Sequence, residues 1–217
     1  MASANLEQLD PWDPKNGTLI AVIETPKGNR NKFCYEGEKG FFRLKTVLPL
    51  GESFPYDFGF IPSTLCDDGD PLDVLILMDE PAFAGCVVPI RLIGVIEAEQ
   101  TEDGKTVSND RVIAVADECH LFQNVSSLKE LPPHLVDEIE HFFVSYNDLK
   151  AKQFKPIGRH GPKRAGKVVK KAVEQCSSRG AVTSPTGNGQ THTQKRPARA
   201  GKRFASSGSS FKKRNPA

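Results

Sequence analysis

From Thr18 to about Ala116 the apolar positions come in short runs separated by glycine, proline and charged residues, which is the pattern of strands joined by turns. Thr18 to Thr25 is rich in β-branched residues and stops at Pro26, Lys32 to Tyr35 follows, and Gly40 to Val47 is entered through a Glu-Lys-Gly turn. Leu72 to Met78 and Cys86 to Ala98 are apolar enough to be buried on both faces, and Arg111 to Ala116 completes the set. Five or more short strands without intervening helices predict a closed or nearly closed antiparallel barrel. The period then changes. Leu135, Val136, Ile139, Phe142, Phe143, Tyr146 and Leu149 recur at helical spacing behind Pro132-Pro133, which suits a first helical turn. Lys163 to Gln175 predicts a second amphipathic helix with Val168, Val169, Ala172 and Val173 on one side and lysines opposite.

Composition divides the chain. After Glu174 there is no acidic residue but nine basic ones, so the modest net charge of +2 covers a body with 20 basic against 27 acidic residues, about −7. The expected organisation is a polar N-terminal extension over 1–17, a folded domain over 18–176 and a basic tail over 177–217. The tail is rich in Ser, Gly, Thr, Pro, Lys and Arg and reads as disordered. Its chemistry fits weak polyanion binding, and it fits a solubilising extension equally well. No apolar stretch approaches the roughly 20 residues needed to cross a bilayer, and Met1 to Gly17 has no secretory apolar core, so a cytoplasmic protein without a membrane partner is expected. Five scattered cysteines without a Cys-x-x-Cys pair read as reduced thiols.

The densest chemistry lies in Asp68-Gly69-Asp70-Pro71-Leu72-Asp73, three carboxylates around a turn that feeds an apolar strand. Gly69 permits a tight turn and Pro71 fixes its own φ, so the three side chains can converge on one point. Carboxylates this dense repel one another unless a hard cation sits among them. An acidic surface turn explains the same residues. An EF-hand does not, because Asp79 and Glu80 follow a strand-like run rather than closing a loop with a bidentate Glu.

Taken in order, these segments resemble the family I soluble inorganic pyrophosphatases. Asp68 to Asp73 reproduces that family's Asp-x-Asp-Pro-x-Asp signature, and Phe54-Pro55-Tyr56-Asp57-Phe58-Gly59-Phe60-Ile61-Pro62 is similar to the aromatic segment ahead of it. Val22 to Pro26, Asn31-Lys32, Arg111 to Val115 and His141 to Tyr146 fall in the matching order. The resemblance implies an α+β fold with a five-stranded oligonucleotide-binding-like barrel, flanking strands and two C-terminal helices. It also implies hydrolysis of pyrophosphate to two phosphates, with Mg²⁺, or Mn²⁺ on the same oxygen ligands, activating a water. Carried over by position, Asp68, Asp70, Asp73 and Glu24 are metal carboxylates, Asp70 accepts the proton of the attacking water, and Lys32, Arg111 and Tyr146 hold phosphate. The bacterial members imply a homo-oligomer.

The chain departs from the family pattern at several positions. Cys34 stands at a carboxylate position, Thr46 at an arginine, Phe54 and Phe58 at tyrosines, and Asn147 at a lysine. Gln100 and Asn109 fall by simple counting on two metal-binding aspartates, for which Glu102, Asp103 and Asp110 are candidate replacements. Two other functions therefore stay open: a non-catalytic polyanion-binding relative, and a hydrolase for a larger phosphoanhydride.

Overall fold

The computed structural model describes residues 5–182, and the basic tail falls outside them except for its first six residues. Nine strands and two α-helices follow in the order β1 (Leu19–Thr25), β2 (Asn31–Glu36), β3 (Phe41–Val47), β4 (Asp57–Ile61), β5 (Leu72–Leu77), β6 (Val87–Glu102), β7 (Lys105–Ser108), β8 (Arg111–Ala116), α1 (Pro133–Asp148), β9 (Gln153–His160) and α2 (Pro162–Val182). The fold is α+β.

Five strands pair in a closed circuit, β1–β4–β5–β8–β6 and back to β1. All residues of β1, β4 and β8 are buried, because these strands have core on one side and covering elements on the other. One side of β1 and β4 faces the main core. The other carries Val22 and Phe60 against Tyr35 and Phe42 of the β2–β3 hairpin and against Leu6 and Leu9 of the N-terminal segment. The circuit is not wholly antiparallel as expected: β5 and β8 run parallel, Val74 beside Val112. The long β6–β7 excursion returns the chain to the same end of the sheet before β8 begins, so the starts of β5 and β8 lie side by side.

Three strands were not anticipated. β4 lies in the aromatic segment and is interrupted by Gly59, whose Cβ would stand 1.9 Å from the Val22 carbonyl oxygen. A close β1–β4 approach explains the glycine there. β7 is four mostly exposed residues without an apolar signature, and β9 separates the two helices that the sequence placed in succession. Lys155, Pro156 and Gly158 blur its alternation, and pairing with β6 holds it.

Helix α1 starts after Pro132 and Pro133 and buries Val136, Ile139, Phe143 and Tyr146. Its aromatic face joins Phe54, Phe58 and Phe154 in a cluster with ring centroids 5.1–6.1 Å apart. Leu149, expected on that face, is exposed because the helix has already ended. Ala165, Val169 and Ala172 bury the inner side of α2.

Candidate active site

Two β-bulges aim side chains that a regular ladder would send elsewhere. On β1 the register slips between Ile23 and Thr25, which leaves Glu24 as the extra residue. On the β2–β3 hairpin the slip between Lys32 and Phe33 leaves Lys45 unpaired on β3. Both side chains line one cleft of about 380 Å³ between the hairpin, the Asp68–Asp73 turn, the starts of β5 and β8, and the C-terminal end of α1. All seven residues expected at the site line it: Glu24, Lys32, Asp68, Asp70, Asp73, Arg111 and Tyr146.

Glu24 and Lys32 form a buried ion pair, with Lys32 Nζ donating to Glu24 Oε2 at 2.7 Å and the Tyr35 backbone N–H donating to Oε1 at 2.8 Å. Burial alone would pull the Lys32 ammonium down. The Glu24 charge, helped by Cys34 and Asp73, outweighs burial and holds the ammonium above its ordinary value. It also lies 4.2 Å from the centre of the Phe58 ring. Phe58 therefore offers lysine a π face where the family pattern has a hydroxyl.

Arg111 opens β8 and Asp73 sits beside it in β5, a proximity that follows from the parallel register. Arg111 Nη1 donates to Asp73 Oδ2 and to Asn109 Oδ1. Its guanidinium carbon is 5.3 Å and 5.4 Å from the ring centres of Phe143 and Phe154, and its Nε is buried without a partner among the described residues. Asn109 Nδ2 in turn donates to Gln100 Oε1 at 2.9 Å. The two amides at the aspartate positions thus satisfy each other and Arg111, as two carboxylates could not do without a cation. None of their candidate replacements lines the cleft: Glu102 pairs with Lys152 at 2.7 Å, Asp110 accepts from Ala98 N at 3.2 Å, and Asp103 sits in the β6–β7 turn with a positive φ of 49°.

Asp68, Asp70 and Asp73 share the cleft but do not meet at one point, and no group of three or more Asp, Glu, His or Cys is placed to hold a metal among the described residues. Asp73 turns toward Arg111, and Asp68 Oδ1 accepts from the Asp70 backbone N–H at 3.2 Å. Partial burial raises both Asp68 and Asp70, and the neighbouring carboxylates add to it, Asp70 and Asp73 acting on Asp68, and Asp73 and Glu24 acting on Asp70. This set supplies only hard oxygen donors, and it carries mutual repulsion that a divalent cation would relieve. The donor chemistry fits Mg²⁺ or Mn²⁺.

Tyr146 projects from α1 and burial pushes its phenol up to about 12, so it stays a hydrogen-bond donor at neutral pH. Its neighbour Asn147 is turned inward, where Nδ2 donates to the Phe143 carbonyl at 2.8 Å. Cys34 lines the cleft with its thiol raised by burial. Sequence reasoning missed Arg43, Lys45, Lys150 and Lys152 in this wall. The bulge that turns Lys45 has no sequence signal, and Lys150 and Lys152 lie in a turn beyond the helical pattern.

A cleft that sets carboxylates against buried cations and a tyrosine hydroxyl defines a class, the hydrolases that act on compact phosphate polyanions. The comparisons narrow the class to a family. Residues 21–177 match the family described as inorganic pyrophosphatase. The chain is 39% identical over 148 residues to an inorganic pyrophosphatase of Nostoc, spanning 68% of this chain and 85% of that protein. It is 36% identical over 176 residues to the one from Thermus thermophilus, 81% and 98% of the two chains. The crystal structure of the Thermus thermophilus inorganic pyrophosphatase superposes with a TM-score of 0.73 and 34% identity, covering 80% of this chain and 99% of that one. The chain belongs to the inorganic pyrophosphatase family, and with it to the inorganic diphosphatases.

Proposed function

We propose that this cleft hydrolyses inorganic pyrophosphate to two phosphates with a divalent metal, Mg²⁺ in the first place. The observation that carries the reading is the meeting of all seven expected residues in one cleft inside the segment that matches the family. Asp68, Asp70 and Asp73 are the carboxylates that would hold the metal, and Glu24 offers the lone pairs left over from Lys32 and Tyr35. When bound, the metal screens the phosphate charge and lowers the pKa of an attacking water.

The chain's own groups do the rest. Lys32 and Arg111, both buried, neutralise phosphate oxygens in a site where low dielectric strengthens every contact. Tyr146 donates its hydroxyl to an oxygen that gains charge as the bridging bond breaks. Asp70, with its affinity for protons raised, accepts the proton of the water that attacks phosphorus in line. The proton then passes from Asp70 to the leaving phosphate or to solvent, so that water is added across the bridging bond, two phosphate ions leave and the carboxylate is regenerated.

The reading of a larger phosphoanhydride as substrate loses its main support. It required the missing tyrosine hydroxyls to leave room, but Phe54 is 1% exposed and packs inside the aromatic cluster, while Phe58 covers Lys32. The closed circuit of β1, β4, β5, β8 and β6 supports reading the sheet as an oligonucleotide-binding-like barrel. The match to residues 21–177 supports a single folded domain, which α2 carries to Val182, six residues beyond the end expected at 176, and the basic composition beyond it suits a polyanion-binding arm. Exposed Leu50, Phe83 and Leu121 support assembly with further copies of the chain. No described helix is long and apolar enough to cross a membrane, in keeping with a cytoplasmic site of action.

The deciding experiment is phosphate release from Mg²⁺-pyrophosphate by the full chain beside Asp70→Asn. Turnover that the substitution abolishes is expected. No release from folded protein would overturn the assignment.

A further inference from the structure

Six cations line the cleft. Four hold carboxylates: Lys32 pairs with Glu24, Arg43 with Glu36, Arg111 with Asp73 and Lys152 with Glu102. Lys45 and Lys150 hold none among the described residues. Lys150 differs from Lys45 in having its ammonium placed by specific contacts.

The placement begins at the end of α1. Lys150 N and Lys152 N both donate to the Asn147 carbonyl, at 2.9 Å and 3.1 Å, and Ala151 takes a positive φ of 55°. Position 150 lies four residues after Tyr146 and the chain is still right-handed at Leu149, so one helical turn sets it on the face that carries Tyr146, and the left-handed residue at Ala151 then ends the helical path. The Lys150 ammonium lies 3.8 Å from the centre of the Tyr146 ring and donates to its hydroxyl oxygen. Asn147 cannot do the same, because its side chain is buried against Phe143.

We propose that Lys150 is a substrate-binding residue of this cleft, an ammonium that grips a phosphate oxygen beside the Tyr146 hydroxyl and so supplies the cation that position 147 lacks. A tyrosine oxygen that accepts from an ammonium is polarised to donate its own proton, so the pair presents two donors to one oxygen. An unpaired cation held against an aromatic ring in a site for a compact polyanion has no better partner than the substrate itself. The inference rests on the pyrophosphatase reading of the cleft.

The proposal carries a pH signature. The ammonium faces Lys32 and Cys34 from β2, Arg111 from β8, and Tyr146 and Lys152 from its own segment. Partial enclosure first, and then the charges of Lys32, Lys152 and Arg111, pull it down to about 8. In the free enzyme the grip is therefore present below pH 8 and lost as pH rises through it. Bound pyrophosphate restores the proton, so the loss falls on KM and not on kcat.

The test compares wild type, Lys150→Met and Lys150→Arg in steady-state turnover of Mg²⁺-pyrophosphate from pH 6.5 to 9.5, each variant shown folded by its melting curve. Ratios between variants at one pH cancel the titration of substrate and metal. Lys150→Met is expected to raise KM about tenfold at pH 7, the loss of one charge-assisted hydrogen bond, with a smaller change in kcat. Lys150→Arg is expected to keep the wild-type KM at pH 7 and to exceed wild-type kcat/KM above pH 8. A second measurement does not depend on turnover: acetylation of Lys150 by an N-hydroxysuccinimide ester at pH 8, followed by mass spectrometry, slowed by saturating inorganic phosphate. Unchanged KM in Lys150→Met, a wild-type to Lys150→Arg ratio that stays flat with pH, or labelling indifferent to phosphate overturns the proposal. Wild type that releases no phosphate overturns the activity reading instead, and the labelling still decides whether Lys150 holds phosphate.

Discussion

Lys32 Nζ and Glu24 Oε2 lie 2.7 Å apart, both side chains buried, and neither is placed by a regular strand ladder, since each sits at a bulge. Removing one charge from such a pair leaves the other buried without compensation. Glu24→Gln is expected to lower stability by about 3 kcal/mol, read as a fall in the urea midpoint. The Lys32 ammonium is held above its ordinary value, so its contribution is complete below about pH 10 and is lost only as pH rises through the higher folded value. The deficit of Glu24→Gln is therefore constant between pH 6 and 9, and adding Lys32→Met should recover part of it. A midpoint equal to wild type would show the pair to be solvated.

Asp70 is shifted in the same direction, with the opposite consequence at neutral pH. Its folded carboxyl is raised by burial and then by Asp73 and Glu24, so the stability it contributes is present below its ordinary value, about 3.9, and is lost as pH rises through the folded value. In metal-free buffer at neutral pH, Asp70→Asn should melt higher than wild type while its turnover falls about 10³-fold. Added Mg²⁺ should raise the melting temperature of wild type more than that of the variant. Equal shifts with Mg²⁺ would remove Asp70 from the metal site.

Arg111 reaches Asp73 and Asn109 through one nitrogen and lies against Phe143 and Phe154. Arg111→Lys keeps the charge but loses the planar group that stacks there. The expected result is a fall in kcat/KM of about 10- to 100-fold with a melting temperature within a few degrees of wild type. Wild-type kinetics would show that charge alone matters at this position.

Gly59 separates Phe58 and Phe60, which both line the cleft, and its missing Cβ leaves room for the Val22 carbonyl. The obstacle is backbone, which cannot rotate away. Gly59→Ala is expected to cost about 3 kcal/mol by thermal or urea unfolding. A neutral substitution would mean that β1 and β4 can separate without loss.

The legible part of this protein was the part written in local chemistry. The β-branched runs of β1 and β5, the helical spacing of α1 and the carboxylate turn each depend on residues close together in sequence, so they were readable in advance. The signature turn and the order of its flanking segments pointed to the family and to seven residues that line one cleft. Strands β7 and β9 were not readable, because their pairing with β6 holds them where their own alternation is weak. The bulges that aim Glu24 and Lys45 arise from strand register, which no single segment encodes.

The sequence by itself determined the donor types, oxygen for a hard cation and nitrogen for phosphate, because chemistry is a property of each side chain. Only the tertiary structure decided which of them face one another. The parallel pairing of β5 and β8 sets Arg111 on Asp73, and the β6–β8 connection joins Gln100 to Asn109 where carboxylates were expected. The reason is physical: a buried charge or polar group must find its partner in space, and the partner that satisfies it is fixed by how strands and helix ends pack.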